Sequence, residues 1–254
     1  MIALILEKLL ALIISINNKN ALGMNKIKIF ILKNLDYKRC TKFQYACREN
    51  LLKTNSKSYL IITTHNNVIT FGKNKIKTDL LVNEAFLKKL SIDLVDTKRG
   101  GKITCHGNGQ IVFYPIINIK DFSLKTKEYV HILEKILIDT LKNFNMNAKT
   151  CENMEGVFIE KDNTLQKIGF TGVHINKYCT MHGISVNIEN DILRIFNLIK
   201  PCGYENLKVT SVEEILKNKI SYDLFIDCFI QNFLKQFNFK SIKRIEKKDK
   251  NKCK

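Results

Sequence analysis

A chain of 254 residues with 45% hydrophobic content can bury a sizeable core, which excludes a disordered protein and fits one large domain or two small ones. Eight scattered cysteines with no C-x-x-C pair exclude a zinc-finger framework and a dense disulfide scaffold, so free thiols in a reducing compartment and no metal are expected. The 42 Lys and Arg against 24 Asp and Glu leave a net charge of +18, which attracts nucleic acid, anionic membrane or acidic protein, although a genome rich in Asn, Lys and Ile codons produces the same excess.

The first residues, MIALILEKLLALIISI, are apolar apart from Glu7 and Lys8. They are too short and interrupted for a membrane span, and residues 1–25 read as a leader or targeting segment, with an amphipathic helix as the other reading. From residue 26, KIKIFIL (Lys26 to Leu32) reads as a strand, and Asp36 opens a helical pattern through Tyr37, Cys40, Phe43, Cys47 and Leu51. SYLIITTH and NVITFG (Ser58 to Gly72) read as two strands around the turn Asn66-Asn67, the start of a hairpin-rich sheet, and Asn83 to Leu90 as a short capped helix. Ile111 to Ile119 has the run of a buried strand, and Tyr129 to Phe144 that of an amphipathic helix with Val130, Leu133, Leu137 and Leu141 on one face. Three strand candidates follow at Gly156 to Glu160, Lys167 to Ile175 and Gly183 to Ile188, then a helix opened by Ser211-Val212-Glu213-Glu214 and another through Phe225, Phe229 and Phe233. Residues 240–254 read as a basic tail. One α+β domain over residues 26–239 is the economical organisation.

Nine of the eleven glycines lie between Gly100 and Gly203, all but Gly156 in three segments. RGGKITCHGNGQ (Arg99 to Gln110) is either a pair of glycine-rich β-turns or a loop that lets a ligand touch backbone N–H groups. It is no P-loop, because no G-K-[ST] ends it. QKIGFTGVHINKYCTMHGISVNI (Gln166 to Ile188) sets Lys167 at the head of a strand, where it is either solvated or pointed inward, and His182 before Gly183, where a satisfied core histidine is the ordinary expectation. PCGYENLKVTSVEE (Pro201 to Glu214) places Cys202 between a stiffened and a freed residue, which presents a thiol at a loop tip unless the cysteine is simply buried.

In order and spacing these segments resemble the motifs of the lipoyl(octanoyl) transferase family. THxxxxTxG is matched by Thr64 to Gly72, RGGxxTxHGxGQ by Arg99 to Gln110, KIxxxGxxxxxxxTxHGxxxN by Lys167 to Asn187, and PCG by Pro201 to Gly203. The resemblance spans about residues 26 to 220. Family members usually carry an aromatic residue and a proline where this chain has Cys105 and Asn108, which bears on loop stiffness and packing rather than on the reaction.

The resemblance implies a mixed, largely antiparallel sheet flanked by helices, like the biotin and lipoate protein ligases. It implies an acyl pocket lined by Arg99, Gly100, Gly101, Lys102, Ile103, Thr104, Cys105 and His106, by Phe170, Thr171 and Gly172, and by Gly183, Ile184 and Ser185. It also implies that Cys202 takes the acyl group as a thioester and that Lys167 lowers the Cys202 pKa and can act as a base. A free thiol ionises near 8.5 and reacts as the thiolate, and an ammonium at roughly 4 Å stabilises that anion by about 4 kcal/mol at an effective dielectric of ~20, opposed by desolvation. The implied partners are octanoyl-acyl carrier protein as donor, and lipoyl domains of 2-oxo acid dehydrogenase subunits or the glycine cleavage H protein as acceptor. Neither nucleic acid nor membrane is involved, and no cofactor or metal is needed. A compartment holding such partners is expected, a plastid-type organelle (apicoplast) or alternatively a mitochondrion. An ATP-dependent lipoate or biotin protein ligase is the alternative activity, and such an enzyme would not need Cys202.

Overall fold

The computed structural model describes residues 26–54, 57–239 and 241–247. Strand β1 (Lys26–Leu32) shows how the layers arise. Because side chains alternate across a strand, Ile27, Ile29 and Ile31 enter one core while Phe30 and Leu32 enter another. β2 (Ser58–Thr63) and β6 (Gln110–Ile116) do the same, sending Leu60, Ile62, Ile111 and Phe113 one way and Tyr59, Ile61, Val112 and Tyr114 the other. A sheet apolar on both faces needs cover on both. Leu133, Leu137 and Leu141 of α3 (Thr126–Lys142) and Phe225, Phe229 and Phe233 of α6 (Tyr222–Gln236) cover the first face. Cys40, Phe43, Cys47 and Leu51 of α1 (Tyr37–Thr54) cover the second. Two short helices are capped as their sequences predict: the Phe86 N–H donates to Asn83 ahead of α2 (Glu84–Lys89), and the Glu214 N–H donates to Ser211 ahead of α5 (Val212–Leu216).

The main sheet has eight strands in the order β11 (Ser241–Lys247), β1, β2, β6, β10 (Cys179–Asn187), β9 (Thr164–Asn176), β8 (Met154–Lys161) and β7 (Ala148–Cys151). β1 runs parallel to both β11 and β2, and every later pairing is antiparallel. A second sheet has β3 (Val68–Phe71) between β4 (Asp93–Asp96), parallel, and β5 (Ile103–His106), antiparallel. The result is the mixed, largely antiparallel α+β architecture expected.

Three local readings differ. β2 and β3 flank the Asn66-Asn67 turn but form no hairpin, because both edges of β2 are already taken by β1 and β6, so β3 crosses to the second sheet. The segment beyond residue 239 is not all tail, since Ser241–Lys247 pairs with β1 along its whole length; its exposed Lys243 and Arg244 suit an outer edge. The strand run predicted to Ile119 stops at Ile116, and Ile119 opens a 3-10 turn. The leader reading falls on residues outside the described ones.

The Phe229 ring stacks on Phe113 with centroids 3.6 Å apart, and both are fully buried. Phe229→Ala is expected to cost about 3–5 kcal/mol through lost burial and the cavity left behind, read as a lowered urea midpoint. Among the described residues no helix is long and apolar enough to cross a membrane.

Candidate active site

A third core joins the two sheets. Ile69, Phe71, Ile103 and Cys105 of the small sheet pack with Phe170 of β9 and with Ile192, Ile195, Phe196 and Ile199 around α4 (Leu193–Phe196). Phe170 and Phe196 stack at 4.5 Å. Along this seam the predicted residues meet.

Lys167 lies on β9 and is 3% exposed, so it points inward. Its backbone also holds the chain that follows the PCG motif: its N–H donates to the Lys208 carbonyl at 2.8 Å, and its carbonyl accepts from the Thr210 N–H at 3.0 Å. Upstream, Pro201–Gly203 form a 3-10 turn that the Lys200 N–H anchors to the Asp79 carbonyl at 2.7 Å. Inside this turn Cys202 adopts a left-handed backbone, φ 57° and ψ 13°, a conformation that disfavours non-glycine residues and that the surrounding bonds must hold. The thiol is thereby presented at a loop tip, and Lys167 Nζ donates to Cys202 Sγ at 3.3 Å. The ammonium also donates to the Glu155 carbonyl and lies 5.3 and 5.1 Å from the ring centroids of Phe158 and Phe170, in cation–π range.

Gly156 makes room for this lysine. A Cβ at that position would stand 2.5 Å from Lys167 Cε and 2.9 Å from Nζ, and its φ of +116° belongs to glycine. Gly156→Ala is expected to push the ammonium away from Cys202 Sγ and to slow alkylation of that thiol by iodoacetamide at neutral pH by about tenfold, read by peptide mapping.

A cavity of about 320 Å3 opens over the pair. Arg99, Gly101, Lys102, Ile103, Thr104, His106, Phe170, Thr171, Gly172, Gly183, Ile184 and Ser185 line it together with Lys167 and Cys202. Two residues of the expected lining do not. Gly100 is turned into the loop, its N–H on the Val173 carbonyl at 2.8 Å and its own carbonyl on Arg99. Cys105 is fully buried in the third core beside Ile69. Arg99 forms a wall, yet its guanidinium donates within the protein to the carbonyls of Thr70, Gly100 and Lys102 and to Thr70 Oγ1, at 2.6 to 3.2 Å. It clamps the glycine-rich segment onto β3.

The inner end of the cavity is aromatic and polar. Tyr37 stacks on His106 at 5.6 Å, and His65 Nε2 lies 2.9 Å from the Tyr114 hydroxyl. His106 Nδ1 is bonded to Gln110 Oε1 at 2.6 Å, Gln110 Nε2 donates to Asn187 Oδ1, and Asn187 Nδ2 donates to the Thr210 carbonyl, so one chain of bonds ties the three motifs together. Burial, reinforced by His65, holds His106 well below the usual histidine range, which leaves it neutral and poorly suited to accept a proton. Burial also brings His65 down to about 4 and, with the Arg99 charge, His182 to about 3.

His182 is not the satisfied core histidine expected. Its backbone is left-handed, φ 59°, and its buried Nδ1 has no partner while the residue lines the cavity. Tyr37, Thr104, Thr171 and Ser185 line the same cavity, and their hydroxyls also have no protein partner, so they are available to a bound group or to solvent. Tyr37, Val112, Tyr114, Asn153, Met154 and Glu155 at the start of β8, and Tyr204 are lining residues that the sequence reading did not select. Tyr37 sits on the buried stripe of α1 and carried only a core signal. Among the described residues no group of three or more His, Cys, Asp or Glu side chains could hold a metal ion.

A sequence model of the lipoyl protein ligase A/B catalytic domain matches residues 36–234. The chain belongs to that family. It is similar to an octanoyltransferase of Bacteroides fragilis, 39% identical over 172 residues that cover 66% of this chain and 77% of that protein. An octanoyltransferase of Clostridium kluyveri is 34% identical over 83% of this chain and 88% of its own length. The fold is that of lipoate protein ligases: the bipartite lipoate protein ligase of Thermoplasma acidophilum, described with its E2 lipoyl domain, superposes with a TM-score of 0.68 at 14% identity over 89% of this chain and 88% of that one. Family and relatives together make this protein an acyltransferase of lipoyl or octanoyl groups.

Proposed function

We propose that the enzyme carries an octanoyl group from acyl carrier protein to a lysine of a lipoyl domain through a thioester on Cys202. The observation that carries the reading is the contact of 3.3 Å between Lys167 Nζ and Cys202 Sγ at a cavity of about 320 Å3, within the usual size range of small-ligand pockets. The names of the octanoyltransferase relatives support the acyl group.

The Cys202 thiolate attacks the carbonyl carbon of the donor thioester, a C–S bond forms, and the carrier's sulfur leaves with the proton of the Lys167 ammonium. Lys167 is then neutral. When the acceptor amine attacks the acyl-enzyme, Lys167 takes its proton, the C–S bond breaks, and the amide departs, which restores thiolate and ammonium together. Neither ATP nor metal enters this balance, because thioester exchange is nearly isoenergetic and amide formation is downhill. The Gly203 and Tyr204 N–H groups are bonded to the Lys200 and Pro201 carbonyls, so an oxyanion would compete with these carbonyls for them.

Intact mass of the enzyme incubated with octanoyl-acyl carrier protein, without ATP, tests the reading. One octanoyl group on the Cys202 peptide is expected; a requirement for ATP would identify a ligase instead. With a net charge of +18 the enzyme is expected to bind its acidic carrier protein more weakly as salt rises, by roughly tenfold between 50 and 200 mM. Titration by fluorescence anisotropy measures this, and a flat response would remove any role for the charge in docking.

A further inference from the structure

We propose that Glu134 is a positioning residue for Lys167, acting through a single peptide unit. This inference rests on Lys167 being the partner of Cys202, as proposed above.

Glu134 lies on α3 and is 2% exposed, a carboxylate on a helix whose other buried residues are mostly apolar. Its Oε1 accepts the Gly156 N–H. The carbonyl at the other end of that same peptide, Glu155 C=O, accepts from Lys167 Nζ, which in turn reaches Cys202 Sγ. Carboxylate, peptide, ammonium and thiol thus form one chain of hydrogen bonds. The carbonyl end of the peptide lies on the ammonium, and the acceptor oxygen at its N–H end holds that orientation.

Two features make the anchoring necessary. Gly156 has no side chain to fix its neighbouring peptides, and its φ of +116° is open to glycine alone, so the bonds at the two ends of this peptide hold its orientation. A carboxylate is also a costly way to fill a helix–sheet interface, since burial raises the Glu134 pKa from its ordinary value and only the Gly156 N–H and His131 oppose this. His131 Nδ1 lies 3.4 Å from Oε2 but its side chain is 72% exposed, and the remaining charged neighbour, Glu155, is repulsive. Glu134 therefore has no strong ion-pair partner of its own. What it holds is the peptide.

The test uses alkylation of Cys202 by iodoacetamide, followed by peptide mapping, which needs no acyl donor and so stands apart from the octanoyl adduct that tests the function. Glu134→Gln keeps an acceptor oxygen at the same reach and is expected to alkylate within about twofold of the parent rate. Glu134→Asp keeps the charge but falls short of the Gly156 N–H by one methylene, and is expected to slow Cys202 at neutral pH by about tenfold, a differential stabilisation of about 1.4 kcal/mol. Above about pH 10, where a thiol ionises unaided, the Asp variant should rejoin the parent. Alkylation of the half-buried Cys151 and Cys228 in each variant reports unfolding and should not change. An Asp variant that reacts at the parent rate, or a Gln variant as slow as the Asp one, would overturn the proposal.

Discussion

Cys202→Ser is expected to leave no octanoyl adduct detectable by intact mass and to lower transfer to a lipoyl domain by about 10³-fold or more. The substitution is nearly isosteric, and the left-handed backbone is imposed by the turn, its Lys200 anchor and Pro201 rather than by the sulfur. The variant should therefore fold and keep its cavity. Under the proposed mechanism it loses the nucleophile: a serine hydroxyl has no appreciable ionised fraction at neutral pH, and the site offers an ammonium to stabilise an anion rather than a base to remove a hydroxyl proton. Seven other cysteines serve as internal controls, since four of them, Cys40, Cys47, Cys105 and Cys179, are buried in the cores and none should carry the acyl group in the parent. An adduct that persists in the serine variant would move the nucleophile elsewhere.

Lys167→Met should slow adduct formation by about 10²-fold while leaving the fold intact. Methionine keeps an unbranched stem between the rings of Phe158 and Phe170 and removes only the charge. At 3.3 Å the attraction between ammonium and thiolate is about 5 kcal/mol at an effective dielectric of ~20. Partial exposure of Cys202 and desolvation of Lys167 reduce this, and a residue of about 3 kcal/mol corresponds to the hundredfold loss. The second half-reaction should suffer as well, because no group then takes the proton of the attacking amine. Single-turnover acylation and deacylation, measured separately, distinguish the two effects; an acylation rate equal to the parent's would mean the lysine serves only the second step.

Much of the architecture was legible because it follows from periodicity. β1, β2 and β6 carry apolar residues on both faces, the mark of a sheet covered on both sides, and the Phe225, Phe229 and Phe233 spacing is that of a helix packed on it. The elements missed are those whose partners lie far away in sequence. β4 has only partly buried or exposed residues, β11 has Lys243, Arg244 and Lys247 among its seven residues, and the destination of β3 depends on which edges of β2 are already occupied. At the site, Lys167 and Cys202 were found by motif, whereas the clamp role of Arg99 rests on carbonyls of Thr70, Gly100 and Lys102 that only folding brings around it. Glu134 escaped notice for a similar reason. On an amphipathic helix one carboxylate looks like a solvated position, and nothing local says that it faces a glycine 22 residues onward.

The bonds of Lys167 to Lys208 and Thr210 close the stretch after Cys202 into a tethered loop, with Tyr204, Glu205 and Asn206 at the surface. Beyond the cavity-lining Tyr204, such a loop can vary in composition at Glu205 and Asn206, but hardly at all in length. One residue more or fewer between Gly203 and Lys208 would re-register the tether and carry the thiol away from the ammonium, so in the evolution of this enzyme substitutions there should be common and insertions rare.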